Sequence, residues 1–205
     1  STPRTTRGFL LGGPSYDSAM SPAPTNILLM GLRASGKTTL GQILAARLGL
    51  AFVDLDDVTA ARLNCVDVPE AWSRRGPAAF RNAEADALQD VLTHTGQIIA
   101  LGGGTPTAPG AEAILRNAVA ARTIHLIYLR ATPGTLRARL MLTDTASRPS
   151  LTGGDVIDEV QRVFDARDPL YRSLASDVVQ LDATTPEAAT AALLDRIKKE
   201  CPKPN

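Results

Sequence analysis

The sequence predicts an α/β fold, a five-stranded parallel sheet with helices on both faces. Three observations carry this. Short apolar runs alternate with helical patterns from residue 26 onward, and that alternation implies right-handed crossovers between parallel strands. The 205 residues, 44% of them hydrophobic, suffice for one well-packed domain and fall short of two ordinary ones. A glycine-rich octapeptide stands where the first apolar run passes into the first helical pattern.

In chain order, residues 1–24 are rich in Ser, Thr, Pro and Gly without amphipathic period, so a flexible N-terminal arm is expected there. Residues 25–200 are expected to form the single domain and 201–205 a C-terminal tail. The runs 26–30, 51–55, 97–101, 123–129 and 177–181 are short and strongly apolar or β-branched, as strands buried in a parallel sheet are. Residues 37–48 put Leu40, Ile43, Leu44 and Leu48 on one helical stripe. Further helices are expected over 78–92, 111–118, 155–174 and 186–199, with another opening at Pro133; Pro133 and Pro186 suit a first helical turn. The polar stretch 143–154, with Gly153 and Gly154, interrupts the helical pattern as a moving flap would.

Charge excludes some partners. Lys and Arg number 22 against 21 Asp and Glu, a net +1 with no block of one sign, so neither nucleic acid nor a membrane surface is expected as a partner. Cys65 and Cys201 have no metal-type spacing, and a reducing, cytoplasmic compartment is the expectation. His94 and His125 are isolated, and neither is read as a metal ligand.

The octapeptide Gly31-Leu32-Arg33-Ala34-Ser35-Gly36-Lys37-Thr38 matches G-x-x-x-x-G-K-[ST] between a strand and a helix. Gly31 and Gly36 let the backbone turn its N–H groups inward, and the new helix's free N–H groups favour an anion. Lys37 suits the β/γ-phosphates of a nucleotide, and the Thr38 hydroxyl suits Mg²⁺. Ala34, Ser35 and Thr39 complete the expected nucleotide-binding set. Such a cradle serves kinases, hydrolases and switches alike, so the other side of the cleft must decide. There, Asp54-Leu55-Asp56 is followed by Asp57. Strand alternation predicts Asp54 and Asp56 on one side, at the carboxyl end of the sheet where ligands bind. One carboxylate could hold metal-bound water and the other accept a hydroxyl proton, while Asp57 could instead cap the next helix.

Further on come Phe80-Arg81-Asn82-Ala83-Glu84, then Ile98 to Gly104 ending in three glycines, then Arg148-Pro149, then Arg167-Asp168-Pro169-Leu170-Tyr171. With the phosphate loop and the paired acids, this ordered set resembles the shikimate kinase family over residues 26 to about 198. The resemblance implies a P-loop fold like that of nucleoside-monophosphate kinases, with a mobile lid at about 143–154. It implies transfer of a phosphoryl group from ATP, with Mg²⁺, to the 3-hydroxyl of shikimate by a monomer. By the same resemblance Asp56 is the base toward that hydroxyl and Asp54 the outer-sphere magnesium residue. Arg81 and Arg167 clamp the carboxylate, a task suited to the guanidinium fork, and Glu84 orients Arg81 from the same helix face. Gly103 offers its N–H to the acceptor, while Trp72 and Phe80 wall the pocket or belong to the core. Arg148 of the lid closes on the γ-phosphate. Pro186 and Arg139 flank the adenine, with Arg137 as the competing arginine.

Three positions depart from the family pattern. Ala34 stands where a further Gly is usual, which requires a negative φ; Pro77 replaces a common Glu, and Ser150 a Leu. The rival functions are another small-molecule kinase, such as one for gluconate, and a non-catalytic ligand sensor. The paired acids and the acceptor arginines argue against the sensor.

Overall fold

The computed structural model describes residues 26–142 and 156–200. The arm expected at 1–24, the lid expected at 143–154 with Arg148 and Ser150, and the tail at 201–205 lie outside the described residues. Among those described, the strands β1 (Asn26–Met30), β2 (Ala51–Asp54), β3 (Gln97–Ala100), β4 (Ile124–Arg130) and β5 (Asp177–Gln180) form one sheet. Its order is β2-β3-β1-β4-β5 and every pairing is parallel.

All five residues of β1 are buried, and so are the first six of β4. Successive strand side chains point to opposite faces, so this burial requires a layer of helix on each side. Helix α1 (Lys37–Leu48) packs on β1, β2 and β3 and against α7 (Pro186–Glu200), whereas α4 (Ala111–Ala120) and α6 (Val156–Leu174) pack together against β4. The core runs through Leu28, Leu29, Leu44, Ile98, Ile99, Leu126 and Leu129, each worth about 1.5–3 kcal/mol when fully buried. Asn26 ties two strand starts together: its side-chain amide donates to His94 O at 2.6 Å and its carbonyl accepts from Gln97 N at 3.0 Å. In that register, Asn26 lies opposite both Gln97 and Ile124.

Two expectations need correction. The second strand stops at Asp54, and α2 (Leu55–Arg62) starts at the next residue. Asp54 is the helix N-cap, with extended φ −96° and ψ 118°, and accepts from Asp56 N at 3.1 Å. A cap and a first-turn helical residue, not strand alternation, therefore set the relation between the two acids. The helix expected over 78–92 is the second half of α3 (Val68–Val91), which is capped by Asp67 accepting from Glu70 N at 2.8 Å and is kinked at Gly76, with φ 80° and ψ 164°. Pro77 follows the kink, where it opens the second half as a first-turn proline does. Helix α5 (Pro133–Met141) begins as Pro133 suggests, behind the N-cap Thr132.

Candidate functional site

Every strand's carboxyl end lies at one edge of the sheet, and loops there help to line two hollows. The loop after β1 carries residues 31–36. Gly36 takes a left-handed conformation (φ 96°) immediately before α1, which lets the first helical N–H groups face the loop's concave side. Ala34 also has positive φ, 63°. The expectation of a negative φ there is overturned: the loop keeps the turn that glycine would give, at a cost of about 1–2 kcal/mol for a Cβ in that region. Lys37 Nζ folds over the loop, donating to Gly31 O at 2.9 Å and Leu32 O at 3.0 Å. Ser35 is buried, and Thr38 and Thr39 are exposed on the first turn of α1. The Thr38 hydroxyl donates to Asp54 Oδ2 at 2.8 Å, linking the first turn of α1 to the end of β2. This hydroxyl–carboxylate pair is a hard-oxygen set that fits Mg²⁺, which typically takes one or two carboxylates plus substrate phosphates.

On the acceptor side, a pocket is lined by Lys37, Asp56, Trp72, Phe80, Arg81, Glu84, Gly103 and Arg167. All the acceptor residues expected from sequence meet there. Asp56 is 7% exposed. Arg81 Nη1 donates to Glu84 Oε2 at 2.5 Å, and the Arg81 guanidinium lies 5.3 Å from the Trp72 ring centre and 5.8 Å from that of Phe80, so two aromatic faces and one carboxylate fix its plane. Phe80 is both core and wall: it is 2% exposed, packs with Cys65 and Ala71, and still lines the pocket. Burial pushes the Glu84 pKa up, an effect reinforced by Asp56 and only partly offset by Arg81 and Thr105.

The three glycines after β3 have distinct reasons. A Cβ on Gly102 would collide with the carboxylates of Glu84 and Asp56, and one on Gly104 with the Arg81 guanidinium. At Gly103 a Cβ would come no nearer than 3.4 Å to any protein atom. Arg167 Nη1 and the Tyr171 hydroxyl both donate to Gly103 O at 2.8 Å. Behind Arg167, Asp168 accepts from Tyr128 at 2.9 Å, Arg130 at 2.7 Å and Arg172 at 2.9 Å, anchoring α6 to β4. Burial, then the Asp168 carboxylate, push the Tyr128 hydroxyl well above its usual pKa, so it remains a donor.

On the far side of the phosphate loop, Ala34, Ser35, Gly36, Thr39, Arg139 and Pro186 line a second hollow together with Thr184 and Thr185. Arg139 donates to Leu181 O at 2.8 Å and to Ala34 O and Ser35 O at 3.4 Å. Arg137 does not line this hollow.

Sequence reasoning missed Arg33, Glu159 and Thr105. Arg33 and Glu159 line the acceptor pocket, and Thr105, in the 3-10 turn Thr105–Thr107, binds Glu84 at 2.6 Å. Arg33 lay inside the octapeptide and Thr105 directly after the third glycine; Glu159 carried no local signal. Among the described residues, no group of three or more His, Cys, Asp or Glu side chains could hold a metal, and no helix is long and apolar enough to cross a membrane.

Known proteins resemble this chain in sequence and in fold. The family model described as shikimate kinase matches residues 33–198. A shikimate kinase of Oleidesulfovibrio alaskensis is 40% identical over 172 residues, which cover 83% of this chain and 95% of the relative. The solved shikimate kinase of Bacteroides thetaiotaomicron superposes with a TM-score of 0.72 at 28% identity, over 85% of this chain and 98% of that one. A shikimate kinase of Acinetobacter baumannii, solved in complex with shikimate, shares the fold with a TM-score of 0.77 at 24% identity, over 88% and 96% of the two chains.

Proposed function

This chain belongs to the shikimate kinase family, whose reaction is the ATP-dependent phosphorylation of shikimate, and we propose how its own residues carry that reaction out. The observation that bears most weight is the meeting of Asp56, Arg81, Gly103 and Arg167 in one pocket beside Lys37. A carboxylate able to take a proton, two guanidinium groups and a glycine at the pocket wall suit a small polyol carboxylate. The neighbouring phosphate loop suits the donor.

In this reading Arg81 and Arg167 hold the acceptor's carboxylate, and Gly103 with Asp56 hold its hydroxyls. Asp56 takes the proton of the 3-hydroxyl as the new O–P bond forms and the bond from the γ-phosphorus to the β–γ bridging oxygen breaks. The products are shikimate 3-phosphate and ADP. Lys37 offsets charge on the phosphoryl oxygens, aided by Arg148, whose role rests on resemblance. Such transfers depend on alignment and electrostatics more than on covalent chemistry by the protein. Thr38 and Asp54 would hold Mg²⁺, which when bound neutralises charge on the β- and γ-phosphate oxygens. Arg139 and Pro186 flank the base of the nucleotide. Closing the pocket excludes water that would otherwise compete with the acceptor.

We place the reaction in the cytoplasm, consistent with Cys65 being a free, buried thiol, and carried out by a monomer, which sedimentation would check. A coupled assay of ADP release with ATP, Mg²⁺ and, in turn, shikimate, quinate and gluconate tests the substrate. Release is expected with shikimate. Release with gluconate alone would favour the rival kinase, and no acceptor-dependent release by folded protein would favour the sensor.

A further inference from the structure

Thr105 is a buried hydrogen-bond donor on the acceptor side that the reaction as described does not use. Thr105 is fully buried, with 0% exposure, and its hydroxyl donates to Glu84 Oε1 at 2.6 Å. The other oxygen of Glu84 accepts from Arg81. We propose that Thr105 is a positioning residue for acceptor binding, acting through Glu84 to hold Arg81 in the plane that receives the substrate's carboxylate. The proposal rests on Arg81 being a carboxylate clamp.

The physical case starts from Glu84, which is 1% exposed beside Asp56. A buried carboxylate with a like charge as neighbour is costly unless its oxygens are hydrogen-bonded. One oxygen has Arg81, and Thr105 supplies the other with a donor that carries no charge and cannot titrate. Thr105 is itself fixed, since its backbone N–H donates to Gly102 O at 3.2 Å. The turn that begins at Gly102 therefore sets the Thr105 hydroxyl, which sets Glu84, which sets Arg81. The absence of a Cβ on Gly102 and Gly104 leaves room for the two ends of this chain against the backbone. Without the hydroxyl, Glu84 favours its protonated form or turns toward a new donor, and Arg81 loses a fixed, fully charged partner. The loss should fall on binding of the acceptor's carboxylate and leave the nucleotide side untouched.

Thr105→Val, which keeps the shape and removes the hydroxyl, tests this, with Thr105→Ser as the conservative rescue. The KM for shikimate should rise roughly tenfold in Thr105→Val, the effect of losing about one buried charge-assisted contact. The KM for ATP should stay within twofold, and Thr105→Ser should return near parental values. With an acceptor whose carboxylate is replaced by a hydroxymethyl group, Thr105→Val and the parent should differ by less than twofold in kcat/KM. A rise under threefold in the shikimate KM, an equal rise for ATP, or the same loss with the hydroxymethyl acceptor would each overturn the proposal. Should Thr105→Val not fold, Thr105→Ala is judged by the same criteria. If the parental protein shows no shikimate-dependent ADP release, the functional reading fails instead, and the two failures are distinct.

Discussion

Arg167 and Tyr171 lie one turn apart on α6, and both donate to the same acceptor, Gly103 O, at 2.8 Å. Two donors on one carbonyl fix the orientation of that peptide plane. Tyr171 is fully buried and its hydroxyl pKa is pushed up to about 12, chiefly by burial, so it remains a donor throughout the working pH range. The pair couples the helix bearing one acceptor arginine to the glycine turn opposite it.

Tyr171→Phe removes one of these donors and leaves the ring packed edge-on to Tyr128, whose centre is 5.5 Å away. The carbonyl keeps Arg167, which is then held there more firmly and is less available to the acceptor. We expect a three- to tenfold rise in the shikimate KM and a loss of about 1 kcal/mol in stability. Steady-state kinetics and denaturant unfolding of one preparation check both values.

Ala34→Gly should stabilise the protein. The left-handed conformation at φ 63° costs alanine about 1–2 kcal/mol, while glycine's extra freedom in the unfolded chain returns about 0.4–1 kcal/mol of that. A net gain of about 0.5–1 kcal/mol in urea unfolding is expected. Ala34→Val, with a β-branched side chain at the same φ, should destabilise.

Asp182 offers a pH test away from the chemistry. Burial alone would raise its pKa, but hydrogen bonds from the Thr135 hydroxyl, Thr132 N and hydroxyl, and Gln180 outweigh burial and hold the carboxyl well below the ordinary range. A depressed folded-state pKa contributes stability that is present above the unfolded value, about 4, and lost as pH falls below it. Asp182→Asn should lower the melting temperature at pH 7, with the gap to the parent closing below about pH 4. The same loop carries Leu181 O, the acceptor for Arg139, so the KM for ATP should rise in parallel.

The strand–helix alternation and the phosphate loop were legible because each has its own local pattern: continuous apolar runs for β1, β3 and β4, and Gly-Lys-Thr at a strand-to-helix turn. The grouping of Arg81, Gly103 and Arg167 in one pocket was legible only from an ordered set of motifs, since they come from three separate elements that the fold brings together. Helix α2 was foreseen only as a next helix that Asp57 could cap; its start was missed, because it begins directly after Asp54 with no intervening loop, and its first acids read as an extended strand. The front half of α3 was hidden by Pro69 and by the Gly76-Pro77 kink, which break the helical pattern locally while tertiary packing carries the chain on. Thr105 was unreadable because its importance comes from a contact with a residue 21 positions earlier.

The Thr38–Asp54 contact predicts how metal dependence should change. Asp54→Asn removes a full negative charge beside the Thr38 hydroxyl while keeping an oxygen acceptor for helix capping. The Mg²⁺ concentration for half-maximal rate should rise about tenfold or more, with the melting temperature little changed. An unchanged Mg²⁺ requirement would remove Asp54 from the metal site.

The central claim is that Asp56 takes the acceptor's proton in the acceptor pocket while the phosphate loop binds the nucleotide independently. Asp56→Asn tests it most directly, through shikimate-dependent ADP release measured alongside the ATP dissociation constant. The account predicts a loss of turnover of at least about a hundredfold, in line with removal of a general base, with ATP affinity within threefold of the parent. An asparagine variant that turns over shikimate at a rate near the parental one would contradict it.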